Sequence, residues 1–406
     1  MGIAVAIAGL AFLILIHEAG HFFVALAVKM RPRRFYVFFP PALVKWKRGG
    51  IEYGIGSIPL GGYVKIPGMH KPAAGDIDAH LERALEEAPW LADRAVPLKR
   101  ALEEDRPEDA RAALPEFRRA VEQAELSEPA MRSAERALTD VGDGLSSDAY
   151  WRASAWKRIA VIGAGPATNF VFAVLALALV FMLGVPVEAT RTVEEVVPGS
   201  AAAAAGLRPG DRIVSVDGRS GAPEDLAAAI RESEGRPITV TIERGGEQQA
   251  LEARARRDAD GYRLGFAFGL RFEEYGPLKA TALAFETTWE VTKAIGASLG
   301  RIVTGSGREE VASVVGITAV SSESLEAGFR YYLQVLAFIS LSLALLNLLP
   351  LLPLDGGHIA FSLLERIRGR AIPREAYERV SAIGIAVVLF LFVIGLTNDI
   401  DRLRGG

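Results

Sequence analysis

The sequence predicts a polytopic α-helical membrane protein with four transmembrane helices, a membrane-associated β-hairpin and an inserted extracytoplasmic α+β domain. Of its 406 residues, 50% are hydrophobic and 23% are charged, and the hydrophobic residues are concentrated in blocks between charged stretches. Four blocks are long enough to cross a hydrocarbon core of about 30 Å. They are Ile3 to Val28, Ile159 to Val187, Tyr331 to Leu352 and Val380 to Thr397.

Changes in composition divide the chain into six segments. They are residues 1–70 (first transmembrane helix and hairpin), 71–150 (charged helical cytoplasmic insertion), 151–190 (second transmembrane helix), 191–271 (inserted domain), 272–330 (amphipathic connector) and 331–406 (third and fourth transmembrane helices). The insertion holds 19 acidic and 11 basic residues. Its apolar residues recur at helical spacing interrupted by prolines, which predicts short helices forming a solvated appendage or a partner surface. His70 and His80 are expected to be ordinary surface histidines.

Basic residues near the ends of the spans predict the orientation. Seven lysines and arginines, and no acid, lie between residues 29 and 48, and three more basic residues precede the second span. Because basic loops stay on the cytoplasmic side, residues 29–158 are expected in the cytoplasm and residues 188–330 outside it. No cleavable signal sequence is expected, because no basic residue precedes the first block.

The first block contains the motif His17-Glu18-Ala19-Gly20-His21. Residues four apart share one face of a helix, so both imidazoles point to one spot with Glu18 beside them. A carboxylate at this depth costs several kcal/mol unless it has a partner, which argues against a purely structural Glu18. The motif predicts a metal site with its own base. The chain has no cysteine, so the ligands must be histidine and carboxylate.

The third block ends in a broken helix that introduces an acid. Two prolines and two glycines surround Asp355 between residues 350 and 357. Broken backbone at membrane depth is tolerated where it lines a cavity or is buried in protein. Asp355 is therefore expected to face His17 and His21, giving a set of two histidines and one carboxylate with an open position for water. Such a set suits zinc and also ferrous iron.

Residues 51–67 read as a short apolar hairpin beside the membrane. Two strand-like runs flank the turn signal Gly61-Gly62, and the second run begins with Tyr63 and Val64. A sheet edge near a metal can accept an extended peptide by strand addition. These four residues are therefore candidates for substrate binding, and an ordinary surface hairpin is the alternative.

The second span begins with small residues that permit close helix packing, followed by the single amide of Asn169. This amide suits a brace between helices and equally an active-site residue. The sequence leaves both roles open.

The inserted domain contains a stretch that resembles the PDZ signature. It reads Gly-Leu-x-x-Gly-Asp-x-Ile-x-x-Val-x-Gly from Gly206 to Gly218. Strand-like runs accompany it at residues 192–197, 212–216, 238–243 and 261–266. The resemblance implies an extracytoplasmic PDZ domain that binds an extended peptide or a chain end.

Together the motifs resemble the site-2 protease family of intramembrane zinc metalloproteases, in its bacterial, PDZ-containing branch, which is similar to the regulator of sigma-E protease. The matching motifs are His17-Glu18-x-x-His21, Gly61-Gly62-Tyr63-Val64, Gly165-Pro166-x-x-Asn169 and Asn347-x-x-Pro350-x-x-Pro353-x-Asp355-Gly356. The resemblance implies Zn²⁺ as cofactor, bound by His17, His21 and Asp355. It also implies catalysis by Glu18 and substrate binding by Asn347.

The same resemblance implies a multi-pass protein of the inner (plasma) membrane that performs regulated intramembrane proteolysis. The implied substrates are transmembrane segments of single-pass membrane proteins, such as anti-sigma factors or signal-peptide remnants. The other expected partners are the lipid bilayer and a peptide or chain end at the PDZ domain, and no nucleic acid is expected. The chain departs from the family at Ser313-Val-Val-Gly-Ile, where the family has Gly-Pro-x-Gly-Ile.

Two other functional classes are compatible with parts of this pattern. A non-catalytic PDZ membrane scaffold with a structural metal site would explain the ligands, but it has no need of Glu18. An ion transporter would explain ionisable groups within a span, but four spans without an inverted repeat argue against it.

Overall fold

The computed structural model describes residues 2–58, 61–258, 261–307, 309, 311, 313–370, 372 and 374–404. The chain forms two compact units, Met1–Leu177 together with Ala284–Gly406, and Ala178–Leu283. In chain order the elements are α1 (Gly2–Ala27), β1 (Arg34–Val37), β2 (Phe39–Arg48), β3 (Ile51–Ile58), β4 (Tyr63–Lys65), α2 (Ala74–Glu87), α3 (Leu91–Glu103), α4 (Pro107–Gln123), α5 (Glu128–Leu145), α6 (Ala155–Met182), β5 (Val185–Val196), α7 (Ala201–Ala204), β6 (Arg212–Val216), α8 (Pro223–Glu232), β7 (Pro237–Arg244), β8 (Glu247–Arg254), β9 (Arg256–Asp258), β10 (Gly261–Arg263), β11 (Phe266–Glu273), α9 (Pro277–Thr304), α10 (Val314–Ala327), α11 (Phe329–Asn347), α12 (Asp355–Arg368) and α13 (Arg374–Arg404).

Among the described residues, four helices, α1, α6, α11 and α13, are long and apolar enough to cross a membrane, which agrees with the four predicted blocks. Two of them, α6 and α11, end about five residues before their predicted blocks do. Helix α6 stops at Met182, because Gly184 adopts a positive φ of 95° and strand β5 follows. Helix α11 stops at Asn347, before the two prolines that cannot continue it.

The unit formed by Met1–Leu177 and Ala284–Gly406 is called the membrane unit. It contains a four-stranded sheet in the order β2-β3-β1-β4. The predicted hairpin is therefore wrong in its pairing, because β1 lies between β3 and β4, parallel to the former and antiparallel to the latter. The hairpin that does form joins β2 and β3. Its two turn residues, Gly49 and Gly50, have φ of 60° and 82°, which a type I′ turn requires at both positions. Pro59 and Leu60 of the predicted hairpin lie outside the described residues.

Strand β2 carries apolar side chains that point away from the protein. Leu43, Val44 and Trp46 are 69%, 57% and 52% exposed. An exposed apolar surface of this kind normally contacts lipid or another protein. This surface supports the expectation that the sheet is associated with the membrane.

The insertion folds as a bundle of helices α2 to α5 with a core of its own. Helix α2 packs on α5 and α3 packs on α4, around buried residues that include Leu98, Phe117 and Leu138. Two prolines expected to break helices, Pro97 and Pro115, lie inside α3 and α4. Burial of one apolar face outweighs the cost of about 3 kcal/mol for an interior proline.

The bundle and the residues that follow it are attached to edge strand β4 and to the residue before β1 by ion pairs. Lys65 Nζ of β4 lies 2.7 Å from Asp140 Oδ1 of α5. Arg33 Nε lies 3.0 Å from Asp143 Oδ1, and Arg33 Nη1 lies 3.0 Å from Asp148 Oδ2. Helix α5 of the insertion is consequently docked against the sheet, whereas the sequence predicted a solvated appendage or a partner surface.

Unit Ala178–Leu283 has a five-stranded sheet in the order β11-β5-β6-β7-β8. Helix α8 lies against β5 and β6, and Ile213, Leu226 and Ile242 are fully buried in the core. The four predicted strand runs all contain strands, whereas β8, β9 and all but the first residue of β11 were not predicted. The buried carboxylate of Asp211 receives two hydrogen bonds of 2.7 Å from Arg244. Burial acts to raise the pKa of Asp211, but these bonds and the Arg208 amide hold it below its usual value.

Helix α10 begins where the chain departs from the family motif, at Ser313. Asp399 of α13 accepts hydrogen bonds from the backbone N–H of Ser313 at 2.7 Å and of Gly316 at 2.9 Å. The side chain of Ser313 also caps α10 by accepting a bond from the Val315 amide. Serine and aspartate together hold the start of α10 in a defined position.

Candidate metal centre and active-site cavity

Helix α1 supplies two imidazoles to one point. His17 and His21 are both only 7% exposed, and their Nε2 atoms lie 3.2 Å apart. The spacing of four residues brings the rings together on one helical face, with ring centroids 4.8 Å apart. The predicted convergence of these two side chains is present.

Helix α12 supplies a carboxylate from its first residue. Asp355 follows the irregular turn after α11, and the next two residues permit that turn to pack tightly. A Cβ on Gly356 would collide with the carbonyl oxygens of Leu348 and Leu349, and one on Gly357 would lie 2.5 Å from the Leu352 nitrogen. Glycine is therefore required at both positions for the turn to hold Asp355 in place.

The three side chains meet with the spacing of a metal site. Asp355 Oδ2 lies 3.1 Å from His17 Nε2 and 3.4 Å from His21 Nε2. Tetrahedral ligands at 2.0–2.1 Å from zinc are about 3.3–3.4 Å apart. Asp355 Oδ2 is buried and has no well-aligned hydrogen-bond donor among the described residues. The distances and this unsatisfied oxygen fit a divalent cation such as zinc.

Both imidazoles have a contact at the ring nitrogen that faces away from this point. His21 Nδ1 lies 2.9 Å from the carbonyl oxygen of Val161. His17 Nδ1 lies 3.4 Å from the side-chain nitrogen of Asn169, which is fully buried. Contacts of this type fix the orientation of metal-binding histidines.

Glu18 lies beside the cluster and contacts the sheet. A Cβ on Gly62 would collide with Glu18 Cγ, so glycine permits this close approach. Gly62, at the start of the Gly-Gly-Tyr-Val segment, therefore packs against Glu18, a contact that the predicted pairing did not include.

Small residues allow α1 and α6 to cross closely at the cluster. A Cβ on Gly20 would lie 2.5 Å from the Ala164 carbonyl oxygen, and one on Gly165 would lie 2.8 Å from His17 Nε2. This agrees with the close helix packing expected from the small residues at the start of the second span.

A cavity of about 1000 Å³ opens at the cluster. The predicted residues that line it are His17, Glu18, His21, Gly61, Gly62, Tyr63, Val64, Asn347 and Asp355. Asn169 is not among the described residues that line the cavity, although it contacts His17. The structure thus gathers all the candidate site residues at or directly beside one cavity.

Several lining residues were not anticipated. Helix α5 contributes Asp140 and Asp143, and α10 contributes Ile317. Nothing in the spacing of these residues distinguishes them from other helical positions. His70, expected only as a surface residue, lines the cavity, and its ring centroid lies 4.8 Å from that of Tyr377. The side chain of His80 lies outside the described residues.

Two other lining residues have a recognisable signal or environment. His358 could have been found from sequence, because it follows Asp355 by one helical turn.

Lys65 also lines the cavity. Partial burial acts to lower the pKa of Lys65. Its hydrogen bond with Asp140 and the charge of Asp143 outweigh that effect and raise it.

Comparisons with known proteins agree over nearly the whole chain. The family model described as Peptidase family M50 matches residues 5–391. "Putative zinc metalloprotease Atu1380" of Agrobacterium fabrum is 30% identical, with 98% of this chain and 94% of the relative covered. "Regulator of sigma-W protease RasP" of Bacillus subtilis is 28% identical, with 96% of each chain covered. "Regulator of sigma-E protease RseP" of Escherichia coli is 26% identical, with 98% of each chain covered.

Proposed function

Since the chain belongs to Peptidase family M50, the site-2 protease family of zinc metalloproteases, we propose that it cleaves the transmembrane segments of single-pass membrane proteins. The observation that carries the proposal is the meeting of two imidazoles and a carboxylate within 3.1–3.4 Å of one another. The cluster lies beside Glu18 in a cavity that apolar span residues also line.

In this proposal His17, His21 and Asp355 hold the zinc ion. Zinc bound there would supply Lewis-acid chemistry, because a divalent cation polarises a peptide carbonyl and lowers the pKa of bound water to about 7. Three protein ligands would leave room for water or substrate, as in other catalytic zinc sites. The carbonyl of Val161 holds the His21 ring so that Nε2 faces the cluster.

Glu18 is the proposed general base and acid. Its carboxylate takes a proton from the attacking water and returns it to the leaving amine. The close contact with Gly62 holds the side chain of Glu18 in position.

A transmembrane substrate must unwind before it can be cut, because its carbonyls are engaged in helical hydrogen bonds. Strand β4 is the proposed partner of the unwound segment. It lies at the end of the strand order β2-β3-β1-β4 and lines the cavity, so an extended segment can add to it. Gly61, Gly62, Tyr63 and Val64 would then contact the substrate, with Asn347 at the end of α11 as a further contact.

The function is tested with a purified single-pass substrate and the purified enzyme in one liposome preparation. We expect cleavage within the transmembrane segment, loss of cleavage after removal of metal by a chelator, and recovery on addition of Zn²⁺. A metal-loaded enzyme that cuts no transmembrane substrate would instead support a scaffold with a structural metal.

Proline at position 64 tests strand addition. Val64→Pro removes the N–H that β4 presents at the cavity, so we expect cleavage to fall by about 100-fold, as for loss of a group that positions the reaction. Val64→Ala keeps the N–H and is the matched control, with activity expected within about 3-fold of wild type. Rates are measured on an intact transmembrane substrate, and thermal unfolding confirms that both variants fold. Normal turnover by Val64→Pro would count against strand addition.

The proposal assigns residues 191–271 to an extracytoplasmic PDZ domain and residues 29–158 to the cytoplasm, in a multi-pass protein of the inner membrane. The β-rich fold of Ala178–Leu283 and the motif from Gly206 to Gly218 support the PDZ assignment. We favour a filter, in which the domain blocks substrates that still carry a bulky external domain. Recruitment of a trimmed chain end is the alternative.

Deletion of residues 192–270, with the ends joined by a flexible linker, separates these two roles. The filter predicts that the deletion variant cuts untrimmed substrates and still cuts trimmed ones. Recruitment predicts slower cutting of trimmed substrates, because the local substrate concentration falls, and no cutting of untrimmed ones. The assay compares both substrates in liposomes, and survival of the untrimmed substrate would exclude the filter.

A further inference from the structure

The amide of Asn169 is buried against the imidazole of a proposed metal ligand. Asn169 is 0% exposed, and its side-chain nitrogen lies 3.4 Å from His17 Nδ1. Its side-chain oxygen has no hydrogen-bond partner among the described residues. A buried acceptor without a donor costs about 1–3 kcal/mol, so the contact needs an explanation.

The chemistry of His17 decides which end of the amide faces the ring. A neutral imidazole carries its proton on one nitrogen and a lone pair on the other. If the amide N–H donated to Nδ1, the proton would lie on Nε2, the atom that meets His21 and Asp355. Nε2 could not then bind a metal.

The opposite orientation gives the buried oxygen of Asn169 a donor and leaves Nε2 of His17 free for a metal. The two ends of a carboxamide have nearly the same shape, so the oxygen can occupy the position beside Nδ1 after a half-turn of the amide. It then accepts the Nδ1–H bond, and the Nε2 lone pair faces the cluster. His21 has the same arrangement with the Val161 carbonyl, which can only accept.

We propose that Asn169 is a positioning residue that accepts a hydrogen bond from His17 Nδ1–H and thereby selects the metal-binding tautomer of His17. The inference rests on the proposed function, because it takes His17 as a zinc ligand. Asn169 itself touches neither the ion nor the substrate. Its side chain acts through His17 alone.

A brace between helices is the competing role, and the chain offers a matched control for it. The hydroxyl of Ser340 in α11 donates a 3.0 Å hydrogen bond to the backbone carbonyl of Asn169. Ser340→Ala therefore removes a buried helix-to-helix bond at the same residue and leaves the amide in place.

The test measures zinc affinity of the full-length protein in detergent, by competition with a chelator of known affinity. Asn169→Leu and the smaller Asn169→Ala remove the acceptor, so we expect the Kd for zinc to rise about 10- to 100-fold, as for other partners of metal-binding histidines. Asn169→Asp keeps an acceptor oxygen, and Ser340→Ala keeps the amide. Both are expected within about 3-fold of wild type, on the same principle.

Cobalt provides a second readout, which the loss of a mere brace between helices would leave unchanged. The visible absorption bands of bound Co²⁺ report ligand geometry, so we expect them to shift in Asn169→Leu and Asn169→Ala and to match wild type in Ser340→Ala. Thermal unfolding of the metal-free proteins shows which variants fold. If Asn169→Leu does not fold because leucine does not fit the site, Asn169→Ala is measured in its place.

Wild-type zinc affinity in the folded leucine or alanine variant would overturn the inference. A folded Asn169→Asp protein that binds zinc as weakly as the leucine variant would overturn it too. If His17 were not a zinc ligand, so that the proposed function itself failed, the result would be different. His17→Ala would then also bind zinc with wild-type affinity.

Discussion

Replacing Glu18 with glutamine is expected to abolish proteolysis while zinc remains bound. The amide has nearly the shape of the carboxylate, but it cannot accept a proton from water at neutral pH. Loss of a general acid–base group costs about 10²–10⁴-fold in rate, so we expect cleavage to fall at least about 1000-fold. His17, His21 and Asp355 stay intact in this variant, and zinc content should equal that of wild type.

The measurement pairs single-turnover cleavage of a transmembrane substrate with metal analysis of the same preparation. Asp140→Asn is the matched control, because Asp140 lines the same cavity on α5 and has no proposed role in the chemistry. It should retain activity within about 3-fold, since an exposed carboxylate contributes little. Cleavage by Glu18→Gln at the wild-type rate would refute the assignment of the base.

Asp355→Asn is expected to lose both zinc and activity. The neutral amide replaces the carboxylate of the cluster, whose Oδ2 lies 3.1 Å and 3.4 Å from the two imidazole nitrogens. We expect zinc affinity to fall by more than the roughly 10- to 100-fold typical of residues that contact a ligand without binding the metal. Proteolysis should fall in parallel at a limiting zinc concentration.

Comparison of the two variants separates ligand from base. Glu18→Gln should lose activity with its zinc retained, whereas Asp355→Asn should lose activity because zinc is lost. Excess zinc should therefore restore part of the activity of Asp355→Asn and none of that of Glu18→Gln. Full zinc occupancy in Asp355→Asn at wild-type affinity would remove Asp355 from the ligand set.

Much of the candidate site could be predicted from two short motifs. The spacing of four between His17 and His21 determines their shared face once a helix forms, and the apolar block makes that helix certain to form in a membrane. Asp355 required one more step, the argument that broken backbone at membrane depth lines a cavity. The family comparison confirmed the metalloprotease assignment and zinc as cofactor.

Strand pairing in the membrane unit could not be predicted in the same way. Residues 51–58 and 63–65 are adjacent in sequence, and adjacent strands commonly form hairpins. Here β1 inserts between them, held by pairing of Phe35 with both Tyr53 and Val64. Local pattern specifies that a strand forms, whereas its neighbours depend on side chains that meet only in the folded sheet.

The sequence by itself determined the four helices of the described residues that are long and apolar enough to cross a membrane, the helical face that carries His17 and His21, and the membership of the chain in its family. These properties depend on local hydrophobicity and spacing, which each segment carries with it. Only the tertiary structure decided that Val161 and Asn169 contact the two imidazoles, 140 and 152 residues away in the chain. It also decided that the charged insertion supplies part of the cavity wall through α5. Contacts of this kind arise from packing between distant segments, and no local pattern in either segment encodes its partner.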